Sequence, residues 1–250
     1  MVAIFFCVWY NINAMVKYDF DKFMFILLDI LTKSCYNYDN TIGDDRGGIN
    51  MTFLDAVFKK KVFPITVNIN AKFPPEYRAG MEDALNSVLH RLKLGEVTGG
   101  GTLLAKNGEI ENCDIDIEIN RKKADEDIEK AFDIIEKMIQ PFGIAKGSTL
   151  NYTVADENTV RAVGELEGMA IYFNGTDLPK EVYEQCDINH AAEQISKCLD
   201  GMGKMFSHWR GPSETALYYY GKSFEQMKDA IQGFISEYPL CEKCRIVRIA

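Results

Sequence analysis

The feature that most restricts what this chain can fold into is that it spells one pattern twice. Lys61 to Thr153 reads as strand, helix, strand, turn, strand, helix, strand, and Glu165 to Ala250 reads the same way in the same order. A matching phrase follows the first strand of each copy: Phe73-Pro74-Pro75-Glu76-Tyr77 in one, Leu178-Pro179-Lys180-Glu181-Val182-Tyr183 in the other. Duplication of one unit of about 90 residues accounts for both, and two such units suit ordinary domain sizes.

Val62 to Ile69 sets Phe63, Ile65, Val67 and Ile69 against Val62, Pro64, Thr66 and Asn68, the period-two signature of a strand with one buried face. Met81 to Leu92 carries Met81, Ala84, Leu85, Val88, Leu89 and Leu92 at helical spacing, with Gly95 as its stop. Strand two is expected over Gly101 to Ala105, a tight turn at Asn107-Gly108, and strand three over Glu109 to Ile119. Asp125 to Ile139 supplies the second helix, ended by Pro141 and Gly143, and Thr149 to Val154 closes the unit. The second copy follows with Gly168–Asn174, Asn189–Leu199, Gly203–Trp209, Thr215–Tyr220, Phe224–Tyr238 and Arg245–Ile249. Asp187 and Ser223 are its helix caps, and Gly211-Pro212-Ser213 its hairpin link. The β-α-β-β-α-β order with amphipathic helices is the ferredoxin-like arrangement, an α+β fold in which an antiparallel sheet carries both helices on one face. The expected division is 51–158 and 159–250. Residues 1–50 belong to neither unit: they hold an apolar helical stretch at Lys22–Lys33 and a polar linker from Asn37 to Asn50. Met51, with Thr52 as N-cap and Asp55 in the capping-box position, reads as an alternative biological start.

The formal charge of −9 disfavours a general affinity for nucleic acid, which depends on Lys and Arg displacing counterions from phosphate, and favours a basic partner. Seven Cys, scattered without the dense spacing of a secreted disulfide scaffold, suit a reducing cytoplasm. The apolar opening Met1 to Tyr10 lacks a basic n-region and a cleavage site, and Asn11 and Asn13 break it well short of a membrane span.

Along Cys113-Asp114-Ile115-Asp116-Ile117-Glu118-Ile119, the carboxylates of Asp114, Asp116 and Glu118 line one sheet face at ~7 Å steps. Such a row is either a solvated or partner-binding face or a divalent-metal site of a phosphoryl-transfer enzyme. The matching strand of the second copy, Thr215–Tyr220, has no carboxylate, and a solvated or partner-binding face is preferred to the metal site. Gly99, Gly100 and Gly101, where the first helix leads into strand two, are expected as a flexible turn or a bulge of positive φ in preference to an anion nest, with room for close approach by another chain. Cys241 and Cys244 with Cys186 and His190 would form a zinc set if the fold gathered them, although a single C-x-x-C is a weak signal. Neither Cys186 nor Cys198 with His190 or His208 brings the orienting residue of a nucleophilic pair. Trp209, Arg210, Tyr218 and Tyr220 form an aromatic hairpin of the residue types that dominate protein interfaces.

The stretches Leu94–Thr102, Cys113–Ile117, Gly168–Gly175 and Ala216–Gly221 resemble a group of uncharacterised bacterial proteins with tandem ferredoxin-like halves. The resemblance spans roughly Met51 to Ala250, implies the fold and a cytoplasmic setting, and brings no catalytic residue and no cofactor. The sequence therefore predicts a non-enzymatic protein-binding module, in its specific form an immunity protein that neutralises a basic bacterial toxin. The alternatives are a metal-dependent hydrolase or nuclease centred on Asp114, Asp116 and Glu118, and a sensor that holds a small molecule between the repeats.

Overall fold

Alternation of side chains along β1 (Val62–Ile69) gives it one dry and one wet face, with Phe63, Ile65, Val67 and Ile69 buried. The computed structural model describes residues 62–154 and 157–250. The helix expected at Lys22–Lys33, the linker after it, the start at Met51, and Cys7 and Cys35 lie outside the described residues. β3 (Ile110–Asn120) lies antiparallel to β1 and sets Ile115 beside Val67, Ile117 beside Ile65 and Ile119 beside Phe63. β2 (Gly95–Leu104) flanks β3, and β4 (Ser148–Val154) flanks the other side of β1. The order β2-β3-β1-β4 is ferredoxin-like, and β5 (Glu157–Val163) extends it to five strands.

Helix α1 (Pro75–Arg91) starts six residues before the apolar run suggested, because Pro75 occupies the first turn, where its fixed φ is an advantage and its missing N–H costs nothing. It ends before Gly95: Leu94 N donates to Leu89 O and Lys93 N to His90 O, with Lys93 left-handed at φ 53°. These two bonds make a Schellman closure. Helix α2 (Arg121–Ile139) is capped by Asn120, whose side chain accepts from Lys122 N, and is interrupted at Asp127, whose carboxylate restarts it by accepting from Lys130 N. Buried Met81, Leu85, Val88, Phe132, Ile135 and Met138 lie against the dry face of the sheet. β5 adds to the strands expected from sequence, since Glu157-Asn-Thr-Val-Arg-Ala-Val163 carries little apolar signal. It is held by Arg161, which reaches Glu129, Asp133 and Glu136 on α2 at 2.8, 3.2 and 3.2 Å and lies over the Phe132 ring.

The second half repeats the plan with β6 (Glu167–Asn174), a short α3 (Lys180–Gln185), α4 (Ile188–Cys198), β7 (Gly203–Arg210), β8 (Glu214–Gly221), α5 (Phe224–Glu237) and β9 (Arg245–Arg248). The strand order β7-β8-β6-β9 matches the first half. Asp187 and Ser223 cap α4 and α5 as expected. Met169, Ile171, Phe173, Leu217 and Tyr219 pack against Ala191, Ile195, Met227 and Ile231 of the helices.

The halves differ in what lies on the far side of each sheet. In β6 every residue from Gly168 to Phe173 is buried, so both faces are covered. The cover is one end of the first half: Phe73 and Tyr77, at the start of α1, meet Phe206 and Tyr220 with ring centroids 5.7–6.0 Å apart. Lys72 N donates to the Tyr220 hydroxyl at 2.8 Å, and the Ser207 hydroxyl donates to Lys72 O.

Candidate functional site

The closed face of the second sheet and the open face of the first carry opposite chemistry. At the centre of the closed face, the Glu109 carboxylate, at the tip of the β2–β3 hairpin, accepts from the Tyr172 hydroxyl at 2.6 Å and the Tyr218 hydroxyl at 2.8 Å. Lys72 Nζ lies 3.0 Å from the same carboxylate, donates to Ile110 O, and sits over the Tyr218 ring. The hairpin turn centres on Lys106-Asn107, with Gly108 N donating to Ala105 O and Gly108 left-handed at φ 81°; this longer link with a glycine bulge replaces the two-residue Asn107-Gly108 turn expected, and it aims Glu109 inward. Burial pushes the Glu109 carboxyl up, but hydrogen bonds from Tyr172, Lys72 and Tyr218 and the Lys72 charge outweigh it, and the group rests below its ordinary value. Burial and the adjoining carboxylate raise the Tyr172 and Tyr218 hydroxyls, so they stay protonated donors.

This arrangement reassigns part of the expected interface. Tyr218 and Tyr220 do face away from the helices, but they are 1% exposed, enclosed by the first half of the same chain. Trp209 pairs with Ala216 on that same side, half-buried, with its ring over Gly211, while Arg210 pairs with Thr215 and is exposed. Of the aromatic hairpin, only the Trp209–Arg210 end reaches the surface.

The open face belongs to the first sheet. The β1–β3 register puts Asp114 beside Asn68, Asp116 beside Thr66 and Glu118 beside Pro64. Asn68 Nδ2 donates to Asp114 at 2.7 Å and Thr66 Oγ1 to Asp116 at 2.8 Å, which fixes both carboxylates in the plane of the face. On the far side of β1 the same face continues through Thr149 and Asn151, and then through Ala162 and Val160 of β5. Glu96, Gly99 and Gly101 continue it across β2. The three carboxylates do not converge: among the described residues no group of three or more His, Cys, Asp or Glu side chains has the arrangement to hold a metal ion.

The glycine run is not a loop. Gly99, Gly100 and Gly101 lie inside β2, two of them opposite Asp116 and Asp114, with a bulge between Val97 and Gly99. None has positive φ, and an extended run lacks the alternating-handed backbone of an anion nest, leaving close backbone approach as its distinctive property. Gly100 faces the helices, where an added Cβ would strike the Asp114 carbonyl and the Arg78–Glu82 pair of α1; at Gly99 and Gly101 nothing lies within 4 Å. Elsewhere, Cys186, Cys241 and Cys244 are free thiols. Burial, then the neighbouring Cys244 and Cys186, pushes the Cys241 thiol up to about 12, which makes it a poor nucleophile and a poor metal ligand in that state. The His190 ring lies 5.4 Å from the Tyr238 ring, and among the described residues these thiols and His190 make no group arranged to hold a metal ion.

The chain matches no protein-family model and no curated protein. Among solved structures, it is similar to an unknown protein from Galdieria sulphuraria (10% identity over 75% of this chain and 98% of that one, TM-score 0.22). It is also similar to a putative monooxygenase from Lactobacillus acidophilus (14% identity, 75% and 95%, TM-score 0.25). A third likeness is to a putative glycine cleavage system transcriptional repressor (7% identity, 75% and 99%, TM-score 0.24). The strand orders β2-β3-β1-β4 and β7-β8-β6-β9 make the fold α+β, with two antiparallel sheets of ferredoxin-like type. With TM-scores of 0.22–0.25, these likenesses bear on neither the fold nor the function. Among the described residues no helix is long and apolar enough to cross a membrane.

Proposed function

We propose that this chain is a non-enzymatic binding protein whose open sheet face receives a basic protein partner, in its specific form an acidic immunity protein that neutralises a basic toxin in the cytoplasm. The observation that carries this reading is the composition of the face. Asp114, Asp116, Glu118 and Glu96 stand among Thr66, Asn68, Thr149 and Asn151, and no Lys or Arg projects from the paired positions on that side. Short, hydrogen-bonded side chains lose little entropy when a partner covers them. A field of one sign speeds the encounter with a basic surface and rejects acidic ones.

The test uses the triple change Asp114→Asn, Asp116→Asn and Glu118→Gln, which moves the net charge from −9 to −6 without altering shape. Affinity purification from the native source at low salt should retain a stoichiometric basic protein on the wild type, release it with added salt, and lose it with the triple variant. Retention that the variant leaves intact would overturn the reading. So would a divalent-dependent hydrolysis of phosphodiesters that the variant abolishes, which would restore the hydrolase alternative.

A further inference from the structure

β2, β5, β7 and β9 are the edge strands of the two sheets. Exposed sheet edges attract other strands, and proteins ordinarily guard them with charge, proline or shortness. β9 has four residues and carries Arg245 and Arg248; β7 carries Lys204, His208 and Arg210; β5 carries Arg161. β2 runs for ten residues with no Lys, Arg or Pro. Thr98 to Gly101 are exposed along it, and Leu103 and Leu104 are 51% and 56% exposed. The glycines sharpen the question. Gly100 is required by the Arg78–Glu82 pair beneath it, but Gly99 and Gly101 have neither positive φ nor any atom within 4 Å of an added Cβ. Glycine inside a strand weakens it and marks a place where another backbone comes close. Nothing among the described residues accounts for these two.

We propose that β2 pairs antiparallel with β2 of a second copy of this chain, about a two-fold axis at Gly101, joining two five-stranded sheets into one. The register follows from facing. Gly99, Gly101 and Leu103 share the open face, since they pair with Asp116, Asp114 and Asn112. Paired residues in an antiparallel ladder point to the same side, so a centre at Gly101 sets each Leu103 against the partner's Gly99. Each leucine then leans over backbone that carries no side chain, covering apolar surface that stands in water in the single chain. The ends agree as well. Glu96 near one end of β2 runs toward Lys106 beyond the other end of the second copy, whereas a parallel pairing would set Glu96 against Glu96. The joined sheet also carries two acidic faces side by side, so added salt strengthens the pairing, the reverse of its effect on a basic partner. A strand edge buries less than a standard interface, and the dimer is therefore concentration-dependent.

Sedimentation velocity on the full chain, across a wide concentration range at low and high salt, tests this directly. The mass should rise from 28.4 kDa toward twice that value, more readily at high salt. Leu103→Glu sets a new carboxylate beside the partner's Asp116 and should weaken association more than about tenfold, with circular dichroism and melting unchanged because Leu103 is half exposed. Val160→Glu, on the opposite edge strand, should leave association intact. A monomer at every concentration and salt overturns the proposal, as does a dimer that survives Leu103→Glu or one that Val160→Glu abolishes. None of these outcomes bears on whether a basic protein binds the open face, which the carboxylate triple variant reports separately.

Discussion

Truncating Glu109 to Ala removes the shared acceptor of Tyr172, Tyr218 and Lys72, which lie 2.6, 2.8 and 3.0 Å from it. A hydrogen bond to a charged group contributes ~1.5–3 kcal/mol, and losing one member of a buried charged cluster costs ~3–5 kcal/mol. Two effects limit the loss: the Lys72 side chain keeps 15% of its surface in water, and the tyrosine hydroxyls interact with each other. We therefore expect Glu109→Ala to lower unfolding stability by about 3–5 kcal/mol, and Glu109→Gln, which keeps an acceptor and loses the charge, by about 1–2 kcal/mol. Urea denaturation followed by tyrosine fluorescence and circular dichroism measures both. Combining Glu109→Leu with Lys72→Met, Tyr172→Phe and Tyr218→Phe should recover most of the loss, because replacing a whole polar cluster by apolar groups is close to neutral. The sign with pH is set by the lowered carboxyl. Its stabilising contribution is complete above its ordinary value of 4.5 and is lost as pH falls through the folded value, so wild type should lose more than Glu109→Gln on acidification. A cost below about 1 kcal/mol for Glu109→Ala would refute the reasoning, since it would mean that water already serves these groups.

Gly100→Ala should destabilise by about 1–3 kcal/mol in the same assay, while Gly101→Ala, which meets open space, should be neutral or stabilising by up to about 1 kcal/mol. Phe73→Ala empties a fully buried position in the aromatic cluster between the halves, and should cost about 3–5 kcal/mol in thermal or urea unfolding. Arg161→Met should raise hydrogen exchange along Glu157–Val163 and change global stability by less than about 1 kcal/mol, because the ion pairs it breaks are largely exposed.

The alternation in β1 and β3 makes their strands and their wet face legible from sequence, and with them the placement of Asp114, Asp116 and Glu118. The covering of the second sheet was also written there: Gly168-Met-Ala-Ile-Tyr-Phe173 is apolar without alternation, the mark of a strand buried on both sides. Tyr218 and Tyr220 belong to that covered face, so residues suited to an interface serve one inside the chain. Glu109 had no such signal. A carboxylate after Asn-Gly looks like any solvated turn, and its partners stand 63 and 109 residues away in sequence. The glycine run reads as a turn because glycine lowers strand propensity, whereas its pairing with β3 is a tertiary fact.

The unequal faces give synthesis a direction. A ribosome releases the first half while the second is still unmade, and that half can wait in water, since its sheet presents Asp, Asn and Thr on the side away from the helices. The second half has no such freedom, because Tyr172, Tyr218 and Tyr220 on its sheet need the end of the first half to cover them. The earlier copy thus serves as a template for the later one, and a gene that encoded the halves in separate messages would leave the second chain with a sticky aromatic sheet in search of a cover.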